Sequence, residues 1–389
     1  MKLLVLSFYY APDLCAGSFR CTALVDALRA YDIEIEVVTT LPNRYASFSA
    51  EAPAFEESEQ VKIHRVALPE HASGMADQSK AFRAFYNAAR KLTAPGDYDA
   101  VVATSSRLFT AFLGARIARQ KRIPLYLDIR DIFVDTLNDV LPKKITWAAL
   151  PVLNQIERYT FNSATRINLV SPGFADYFKT RYPRVDYQWF TNGIDNEFLE
   201  VAPSVSRRLE SSGRVKVLYA GNIGEGQGLH RIIPTLAKRM HDSAEFKIIG
   251  AGGRLAELEV ACEGLDNVEL LPPVGRKDLI EAYQSADVLF LHLNDYEAFK
   301  KVLPSKIFEY AALGKPVWAG VGGYAAEFLR ENVENSGVFE PGNAESAVAS
   351  FGDLRLEEVP RSDFVSKFAR TAIMRDMAAD IVNFVQEQK

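Results

Sequence analysis

Short apolar runs alternate with helix-forming segments along most of the chain, and this alternation constrains the fold more than any other feature. Residues 2–8 and 287–293 are two such runs, each with the length and apolar content of a strand that is buried on both faces. A loop and a helix-forming segment follow each run. Strands that alternate with helices form parallel sheets. The sequence therefore predicts an α/β fold.

The chain length and a second start of the pattern predict two domains. A chain of 389 residues is too long for one ordinary core. The alternation begins again at Val215 after a polar segment, 203–213, which is rich in Ser and Arg and reads as a linker. We place one domain at 1–195 and the other at 196–363. The last helix, at 364–389, follows Pro360 and is expected to pack back onto the first domain.

The composition excludes several classes of protein. Residues 1–195 carry 23 Lys and Arg against 21 Asp and Glu, and the remainder carries 22 against 29, which is too even for a nucleic-acid binder. The three cysteines form no CxxC pair and the five histidines are far apart, so neither a metal site nor a disulfide framework is expected.

Asp97-Tyr98-Asp99 resembles a DxD metal motif, but it enters a strand rather than leaving one, so we reject a metal there. No apolar run approaches the roughly 20 residues that span a bilayer, and a cytoplasmic location is expected.

Residues 304–317 predict a short helix that starts at the carboxyl edge of a parallel sheet, where open sheets bind ligands. Pro304 and Ser305 open the helix and Gly314 closes it. Lys306, in the first turn, faces the positive end of the helix dipole, which favours a bound anion nearby. Glu309, one turn later, could accept hydrogen bonds from a ribose diol. The alternative is an ordinary solvated helix start.

Glycine-rich loops follow two consecutive strands in the second half and could both hold phosphate. Neither has the GxGxxG pattern of nicotinamide cofactors. Near the N-terminus, Gly17, Ser18 and Arg20 occupy a similar strand–loop–helix position, where a plain tight turn is the alternative. The candidate binding residues of the two later loops are Asn222, Gly224, Gly226, Gln227, Gly250 and Gly252.

Two further stretches carry charge. Asp128 and Arg130 follow a strand at a carboxyl edge, together with Asp131, and could serve either a substrate or an ion pair that fixes the loop. Residues 80–92 form a basic amphipathic helix that either packs on the sheet or lies on an anionic membrane. Lys143, Lys144 and Trp147 are also compatible with a membrane interface.

Taken together, these residues resemble the retaining family 4 glycosyltransferases, which have the GT-B fold of two Rossmann-like domains facing a central cleft. The resemblance extends to the bacterial subgroup that makes O-antigen and capsule, including N-acetylfucosamine transferases. Two departures stand out: Asn222 and Gln227 occupy positions where many members have Arg and Lys, and Lys301 replaces an earlier glutamate of the family. The residues that carry the resemblance are Tyr9-Tyr10-Ala11-Pro12 to Arg20, Glu157, Asn192-Gly193-Ile194-Asp195, 221–228, Gly250-Ala251-Gly252, and Pro304-Ser305-Lys306 to Glu309 with Gly314-Lys315-Pro316-Val317.

The resemblance implies a metal-independent enzyme that moves a sugar from a nucleoside-diphosphate sugar, UDP-linked, to a glycan or a polyprenyl-diphosphate-linked acceptor. It implies that Glu309 binds the ribose, that Lys306 and Arg130 stabilise phosphate charge, and that Asp128 lies near the acceptor. Ser305 and Lys301 are further expected donor contacts. Two alternatives stay open: a nucleotide-sugar epimerase of the same architecture, and a non-catalytic nucleotide-sugar-binding subunit.

Overall fold

The computed structural model describes residues 1–43, 51–69, 75–105, 108–132, 134–135, 143–208 and 213–388, with the side chains of 75–78 and 143–149 left out. The chain divides into two compact units. Unit 1 comprises residues 1–192 and 370–389, and unit 2 comprises residues 193–369. The division therefore lies at 192/193, three residues before the expected boundary.

Unit 1 is an eight-stranded sheet in the order β3-β4-β2-β1-β5-β6-β7-β8, parallel except for β3, which pairs antiparallel with β4. Its strands are β1 (Lys2–Leu6), β2 (Glu34–Thr40), β3 (Phe55–Glu57), β4 (Val61–Val66), β5 (Ala100–Thr104), β6 (Leu125–Ile129), β7 (Arg166–Leu169) and β8 (Asp186–Gln188). Its helices, numbered for both units together, are α1 (Ala16–Leu28), α2 (Met75–Thr93), α3 (Leu108–Lys121), α4 (Lys143–Asn162), α5 (Ala175–Arg181) and the C-terminal α14 (Arg370–Glu387).

Unit 2 is built on a six-stranded parallel sheet in the order β12-β11-β10-β13-β14-β15. Its strands are β10 (Val215–Asn222), β11 (Ala244–Ala251), β12 (Val268–Leu271), β13 (Val288–His292), β14 (Val317–Gly320) and β15 (Ser336–Phe339), with β9 (Arg207–Arg208) and β16 (Glu357–Glu358) forming a separate antiparallel pair. Its helices are α6 (Asn196–Glu200), α7 (Leu229–Arg239), α8 (Leu255–Ala261), α9 (Arg276–Ser285), α10 (Lys306–Ala312), α11 (Gly323–Asn332), α12 (Ala344–Gly352) and α13 (Ser362–Phe368).

The central strands of both sheets are buried on both faces, which explains their continuous apolar sequences. Leu3, Leu4, Val5 and Leu6 of β1 are each 0% exposed. In unit 2, Trp318 of β14 is also fully buried, and its indole N–H donates to the Ala347 carbonyl at 3.1 Å. Because helices cover both faces, the carboxyl edge of each sheet is where loops can present polar groups.

The predicted linker at 203–213 was wrong. Residues 203–208 belong to unit 2, where β9 pairs with β16, and Arg207 forms an ion pair with Glu358 at 3.0 Å. Residues 209–212 lie outside the described part. Asp195 has extended backbone angles, and Ile194 bridges to Ala369 in parallel.

The single C-terminal helix predicted for 364–389 is two helices in the structure. Phe364 and Phe368 of α13 pack on Phe308 and Phe328 within unit 2. In contrast, Met374, Met377 and Ile381 of α14 lie in the core of unit 1 with residues of α1 and β1. The helix breaks at Ala369, which has extended backbone angles, because its two apolar faces belong to different cores.

Smaller differences concern the edges of elements. The edge strand β3 lies between β2 and β4 in the sequence, and residues 44–50 lie outside the described part. Helix α3 is described from Leu108, because residues 106–107 lie outside the described part. Within the described residues, no helix combines the length and the apolar composition that a bilayer crossing requires.

Candidate active site

Two glycines at neighbouring strand ends shape the carboxyl edge of unit 2. Gly221 of β10 and Gly250 of β11 are register partners with φ of +151° and +155°. A Cβ atom at Gly250 would lie 1.8 Å from the Gly221 carbonyl oxygen, and one at Gly221 would lie 2.6 Å from the Lys306 Nζ atom. Only glycine fits either position. The Lys306 side chain therefore lies directly against the end of β10.

The loop after β10 is held by its own side chains. Asn222 Nδ2 donates to Gln227 Oε1 at 2.7 Å, and the Gly224 backbone N–H donates to the same oxygen at 3.2 Å. Asn222 and Gln227, which occupy the positions where many members of the resembled family have Arg and Lys, thus contact each other. A Cβ atom at Gly226 would lie 2.9 Å from the Phe299 ring, and one at Gly252 would lie 2.4 Å from the Ile223 carbonyl oxygen. These glycines are required for close packing of the loop.

Glu225, in the same loop, was not identified by the sequence analysis. Its carboxylate accepts hydrogen bonds from Arg231 Nη2 at 2.6 Å, Arg254 Nε at 2.8 Å and the Tyr296 hydroxyl at 2.8 Å. Burial alone would raise the pKa of Glu225, but these three donors lower it below its usual range. The network ties the loop to α7 and to the segment after β13.

Lys306 and Glu309 both lie on the first turn of α10. Lys306 is partly buried, with Nζ 6.0 Å from the centre of the Tyr219 ring. Burial lowers the pKa of Lys306, Glu309 raises it and Arg276 lowers it again. Glu309 is only 9% exposed. Ser305 occupies the N-cap position without a side-chain cap bond, and Lys301 ends a short 3₁₀ helix, Phe299–Lys301.

Arg276 is a second basic residue at this edge that the sequence analysis missed. Its Nη1 atom lies 3.8 Å from Glu309 Oε1, its Nη2 atom donates to Asp195, and its guanidinium lies over the Phe198 ring at 4.6 Å. Arg276 begins α9 directly after the loop that follows β12, so its position at a carboxyl edge could have been inferred from the strand pattern. The edge of unit 2 therefore brings together two cations, Lys306 and Arg276, with the carboxylates of Glu309 and Asp195.

His292 fixes the end of β13 and does so as a neutral side chain. The distance from Nδ1 to the Gln227 carbonyl oxygen is 2.7 Å, and the Gly342 N–H donates to Nε2 at 2.9 Å, so Nδ1 carries the proton and donates. Burial lowers the pKa of His292 to about 4. The residue is 0% exposed.

We expect this histidine to make stability depend on pH. Because its pKa is lower in the folded than in the unfolded state, unfolded chains bind more protons between pH 6.5 and about pH 4, and stability falls as the pH falls through that window. The loss should approach about 3 kcal/mol below pH 4. His292→Gln should flatten the pH dependence of the unfolding free energy in that window. His241→Gln, at an exposed histidine whose pKa is raised, should leave that slope in place. Equal slopes for wild type and His292→Gln would contradict the assignment.

In unit 1, Arg20 and Asp128 form a buried ion pair rather than an exposed binding surface. Each is 1% exposed, and Arg20 contacts both carboxylate oxygens at 2.7 and 2.9 Å. Asn168 Nδ2 donates to Asp128 Oδ1 at 2.7 Å. Arg20 also donates to the carbonyls of Phe190 and Thr191 at 2.8 and 2.6 Å. Burial favours the neutral acid, but Arg20 and Asn168 lower the pKa of Asp128.

The roles expected for Arg20 at a substrate and for Asp128 near the acceptor stay predictions, and what the structure shows is that the two side chains pair with each other inside unit 1. Both oxygens of the Asp128 carboxylate and all three nitrogens of the Arg20 guanidinium form hydrogen bonds inside unit 1, and neither side chain reaches the surface. The ion-pair alternative for Asp128 holds, although its partner is Arg20 rather than Arg130. Glu157 is similarly internal: it is 3% exposed and accepts hydrogen bonds from the hydroxyls of Tyr177 and Tyr182 at 2.8 Å each.

Other candidate residues of unit 1 lie at the carboxyl edge of its sheet. Gly17 and Ser18 are buried in the first turn of α1. Arg130 and Asp131 follow β6, and the Arg130 backbone N–H donates to Ser105 Oγ at 3.0 Å. Asp97 and Asp99, in contrast, precede β5, and Asp99 Oδ2 accepts from the Lys2 backbone N–H at 2.7 Å. Among the described residues, no three His, Cys, Asp or Glu side chains are grouped so that they could hold a metal ion.

The fold matches solved glycosyltransferases over the whole chain. Sucrose-phosphate synthase from Thermosynechococcus elongatus matches with a TM-score of 0.76 over 100% of both chains at 13% identity. HepE of Anabaena in complex with UDP gives 0.63 over 98% of this chain and 100% of that chain at 16% identity. WaaG, a glycosyltransferase involved in lipopolysaccharide biosynthesis, gives 0.62 over 97% and 95% at 15% identity. Identities this low establish the fold alone, which is GT-B with two Rossmann-like domains.

Sequence comparison assigns the family. A Glycosyl transferase 4-like domain matches residues 18–193, and the family Glycosyl transferases group 1 matches residues 205–370. The chain therefore belongs to the family 4 glycosyltransferases of GT-B fold. It is also 34% identical over 100 residues to the colanic acid biosynthesis glycosyl transferase WcaI of Escherichia coli K12. That match spans 25% of this chain and 24% of the relative's length.

Proposed function

We propose that the protein transfers a sugar, with retention of configuration, from a UDP-sugar to a glycan or polyprenyl-diphosphate-linked acceptor during surface polysaccharide synthesis. The observation that carries the proposal is the position of Lys306, on the first turn of α10 and against the end of β10. The names of WcaI and WaaG support a role in polysaccharide or lipopolysaccharide synthesis, and the UDP complex of HepE supports a nucleotide donor.

The chemistry requires charge stabilisation more than a protein nucleophile. Negative charge grows on the departing diphosphate, and a cation and helix N-terminus already in place stabilise it without reorganising. Lys306 meets this requirement without the help of an Arg or Lys in the preceding loop. Its lowered pKa indicates that the ammonium group gains from a bound anion. A metal ion is not needed in this scheme.

Arg276 and Glu309 complete the proposed donor site. Glu309 would accept hydrogen bonds from the ribose hydroxyls, while Arg276, 3.8 Å away, places a positive charge beside the carboxylate. Lys301 occupies the place of the family's other glutamate, which favours an amino or deoxy sugar such as N-acetylfucosamine on the donor. Ser305 and the loop glycines supply the shape of the site.

A donor panel tests the function. UDP-, GDP- and dTDP-sugars are added to the full chain and binding is followed by thermal shift, because a ligand at a hundred times its dissociation constant adds about 2.7 kcal/mol of stability. We expect a UDP-sugar to give the largest shift and, with acceptor, to release UDP. A new sugar isomer formed from donor alone would indicate an epimerase. Binding without release of nucleoside diphosphate would indicate a non-catalytic subunit.

We further propose that unit 1 contacts an anionic membrane through the basic side of α2 and α3. The apolar side of α2 is used by the protein itself: Phe85 is 0% exposed and packs on Phe8 with ring centres 5.4 Å apart. Neither residues 80–93 nor α3 contain an acidic residue. The side chains of Lys143, Lys144 and Trp147 lie outside the described part. The exposed basic residues of the two helices are Lys80, Arg83, Arg90, Lys91, Arg116 and Arg119.

Charge reversal on α2 should abolish this contact. Each basic residue near an anionic surface contributes about 1 kcal/mol, so Arg83→Glu with Arg90→Glu should reduce pelleting with phosphatidylglycerol vesicles at low salt by about tenfold or more. The matched control is Lys238→Glu with Arg239→Glu, an exposed basic pair at the end of α7 in unit 2. The proposal fails if wild type does not pellet, or if both double variants behave alike.

A further inference from the structure

Arg361 lies buried at the carboxyl-terminal end of α10, with 7% of its surface exposed. Its Nη1 atom donates to the Ala311 carbonyl in the last turn of that helix at 2.9 Å. Its Nη2 atom donates to the Lys315 carbonyl, which follows the helix, at 3.0 Å. Its Nε atom donates to the Glu334 carbonyl, two residues before β15, at 3.0 Å. One guanidinium therefore joins the end of α10 to the segments that lead into β14 and β15.

α10 does not need Arg361 in order to end. Gly314 adopts a left-handed conformation with φ +70°, and its backbone N–H donates to the Ala311 carbonyl at 3.2 Å. This glycine turn is a common end of an α-helix. Burial lowers the pKa of Arg361 to about 10, which leaves the guanidinium charged at neutral pH and indicates that its burial costs free energy. What the arginine adds to the glycine turn is a link from α10 to two neighbouring parts of the sheet.

The helix that follows Arg361 holds the buried side of α10. Phe308 of α10 is 0% exposed, and its ring centre lies 5.2 Å from that of Phe368 in α13, at an interplanar angle of 67°. Phe308 stands between Lys306 and Glu309 in the sequence, so its packing fixes the turn that carries both. Arg361 and α13 are consecutive in the chain. One short segment therefore holds α10 at two points.

The position of α10 has little tolerance. The Lys306 Nζ atom lies so close to the end of β10 that a Cβ atom at Gly221 would come within 2.6 Å of it. Glu309, one turn further along, lies 3.8 Å from Arg276. Both contacts depend on where the helix lies along its axis, and misplacement of a catalytic group by about 1 Å can lower a rate about a hundredfold. A group that fixes α10 therefore controls the placement of Lys306.

We propose that Arg361 is a positioning residue for sugar transfer, because its bonds to the three carbonyls hold α10 where the Lys306 ammonium group meets the departing diphosphate. The inference rests on the proposed function, in which Lys306 stabilises that charge. Ala311, which Arg361 contacts, lies five residues after Lys306, or about 8 Å along the helix axis. Arg361 therefore acts on the reaction by way of the helix.

Arg361→Lys tests this role in the full chain. Lysine keeps the buried charge, but its ammonium group lacks the planar fork that spans three carbonyls. We expect kcat for release of nucleoside diphosphate to fall by about tenfold or more, while KM for the donor changes by less than about threefold. A loss confined to kcat indicates that transition-state stabilisation was removed rather than donor binding. If Arg361→Lys does not fold, Arg361→Gln, which removes the buried charge and keeps an amide donor, takes its place in the same assays.

A double variant shows whether the effect passes through Lys306. In a Lys306→Ala background, Arg361→Lys should lower kcat by no more than about threefold, because the group that it positions is already gone. A purely structural role would lower kcat by the same factor in both backgrounds. The matched control is Arg355→Lys, at an exposed arginine that pairs with the Glu334 side chain at 2.7 Å. Its kcat should stay near that of its parent in both backgrounds.

The outcomes separate the positioning role from the proposed function. The role is overturned if Arg361→Lys transfers at the wild-type rate, if its loss is equal in both backgrounds, or if neither variant of Arg361 folds. In each of these cases the loss expected for Lys306→Ala would still support the donor site. If wild type releases no nucleoside diphosphate from any donor and acceptor, the proposed function fails, and the positioning role fails with it.

Discussion

Lys306→Ala is expected to lower the rate of sugar transfer at least about a hundredfold while the protein stays folded, since one contact that stabilises developing charge contributes about 2.7–4 kcal/mol. The loss should appear mainly in kcat, because the charge on the departing diphosphate grows in the transition state. Folding should be preserved: removal of a partly buried ammonium group whose pKa burial has lowered relieves a desolvation cost. The measurement is release of nucleoside diphosphate under saturating donor.

The matched control for this variant is Lys300→Ala. Lys300 lies six residues earlier in the chain and is more exposed. It pairs with Glu297 at 2.6 Å and with Asp295 at 3.3 Å, whereas Lys306 lies against Gly221 at the end of β10. We expect its transfer rate to stay near that of wild type. A Lys306→Ala rate within about threefold of wild type would remove Lys306 from the proposed mechanism.

Arg20→Met is expected to destabilise unit 1 by about 3–5 kcal/mol, because it leaves the Asp128 carboxylate buried without its cation. It also removes the donors to the Phe190 and Thr191 carbonyls. Hydrogen exchange of the β1 and β6 amides reports the opening free energy of unit 1 separately from that of unit 2. Those amides should exchange at least about a hundredfold faster in the variant.

A double variant separates the effect of the unpaired Asp128 charge on stability from the effect of lost side-chain packing. Arg20→Met with Asp128→Asn removes both charges, so the double variant should lose less stability than the two single variants added together. The exposed pair Arg214–Asp266, 3.2 Å apart, provides the control, since breaking such a surface pair costs less than about 1 kcal/mol. If Arg20→Met exchanges at the wild-type rate, the pair is not a structural element of unit 1.

Local patterns in the sequence predicted a large part of the fold. The apolar runs gave β1, β10 and β13 with small errors at the ends, and the Pro-Ser start and Gly314 gave α10, which the structure places at Lys306–Ala312 with Gly314 at φ +70°. Such patterns are predictive because strand and helix periodicity, glycine conformation and helix capping act over a few residues. The prediction of a single C-terminal helix was wrong because the helical sequence pattern continues through Ala369, whereas the residues before and after Ala369 pack in the cores of different units.

Local sequence patterns predicted only part of the candidate site. The placement of Lys306 and Glu309 on one helix turn followed from their spacing. Arg276 beside Glu309, Glu225 at the centre of three donors, and the pairing of Asn222 with Gln227 depend on loops whose conformation the sequence does not specify. The roles of these groups at a donor sugar stay predictions.

The sequence by itself determined that this protein is built from parallel βα units. It also determined which loops are rich in glycine and which helix begins at the carboxyl edge of a sheet, where ligands bind. The tertiary structure alone decided which charges neutralise one another. Arg20 and Asp128 are 108 residues apart, and nothing near either residue identifies the other. The reason is physical: secondary structure follows from interactions between neighbours in the chain, whereas the ionisation and availability of a buried group depend on whatever the completed fold brings within a few ångströms of it.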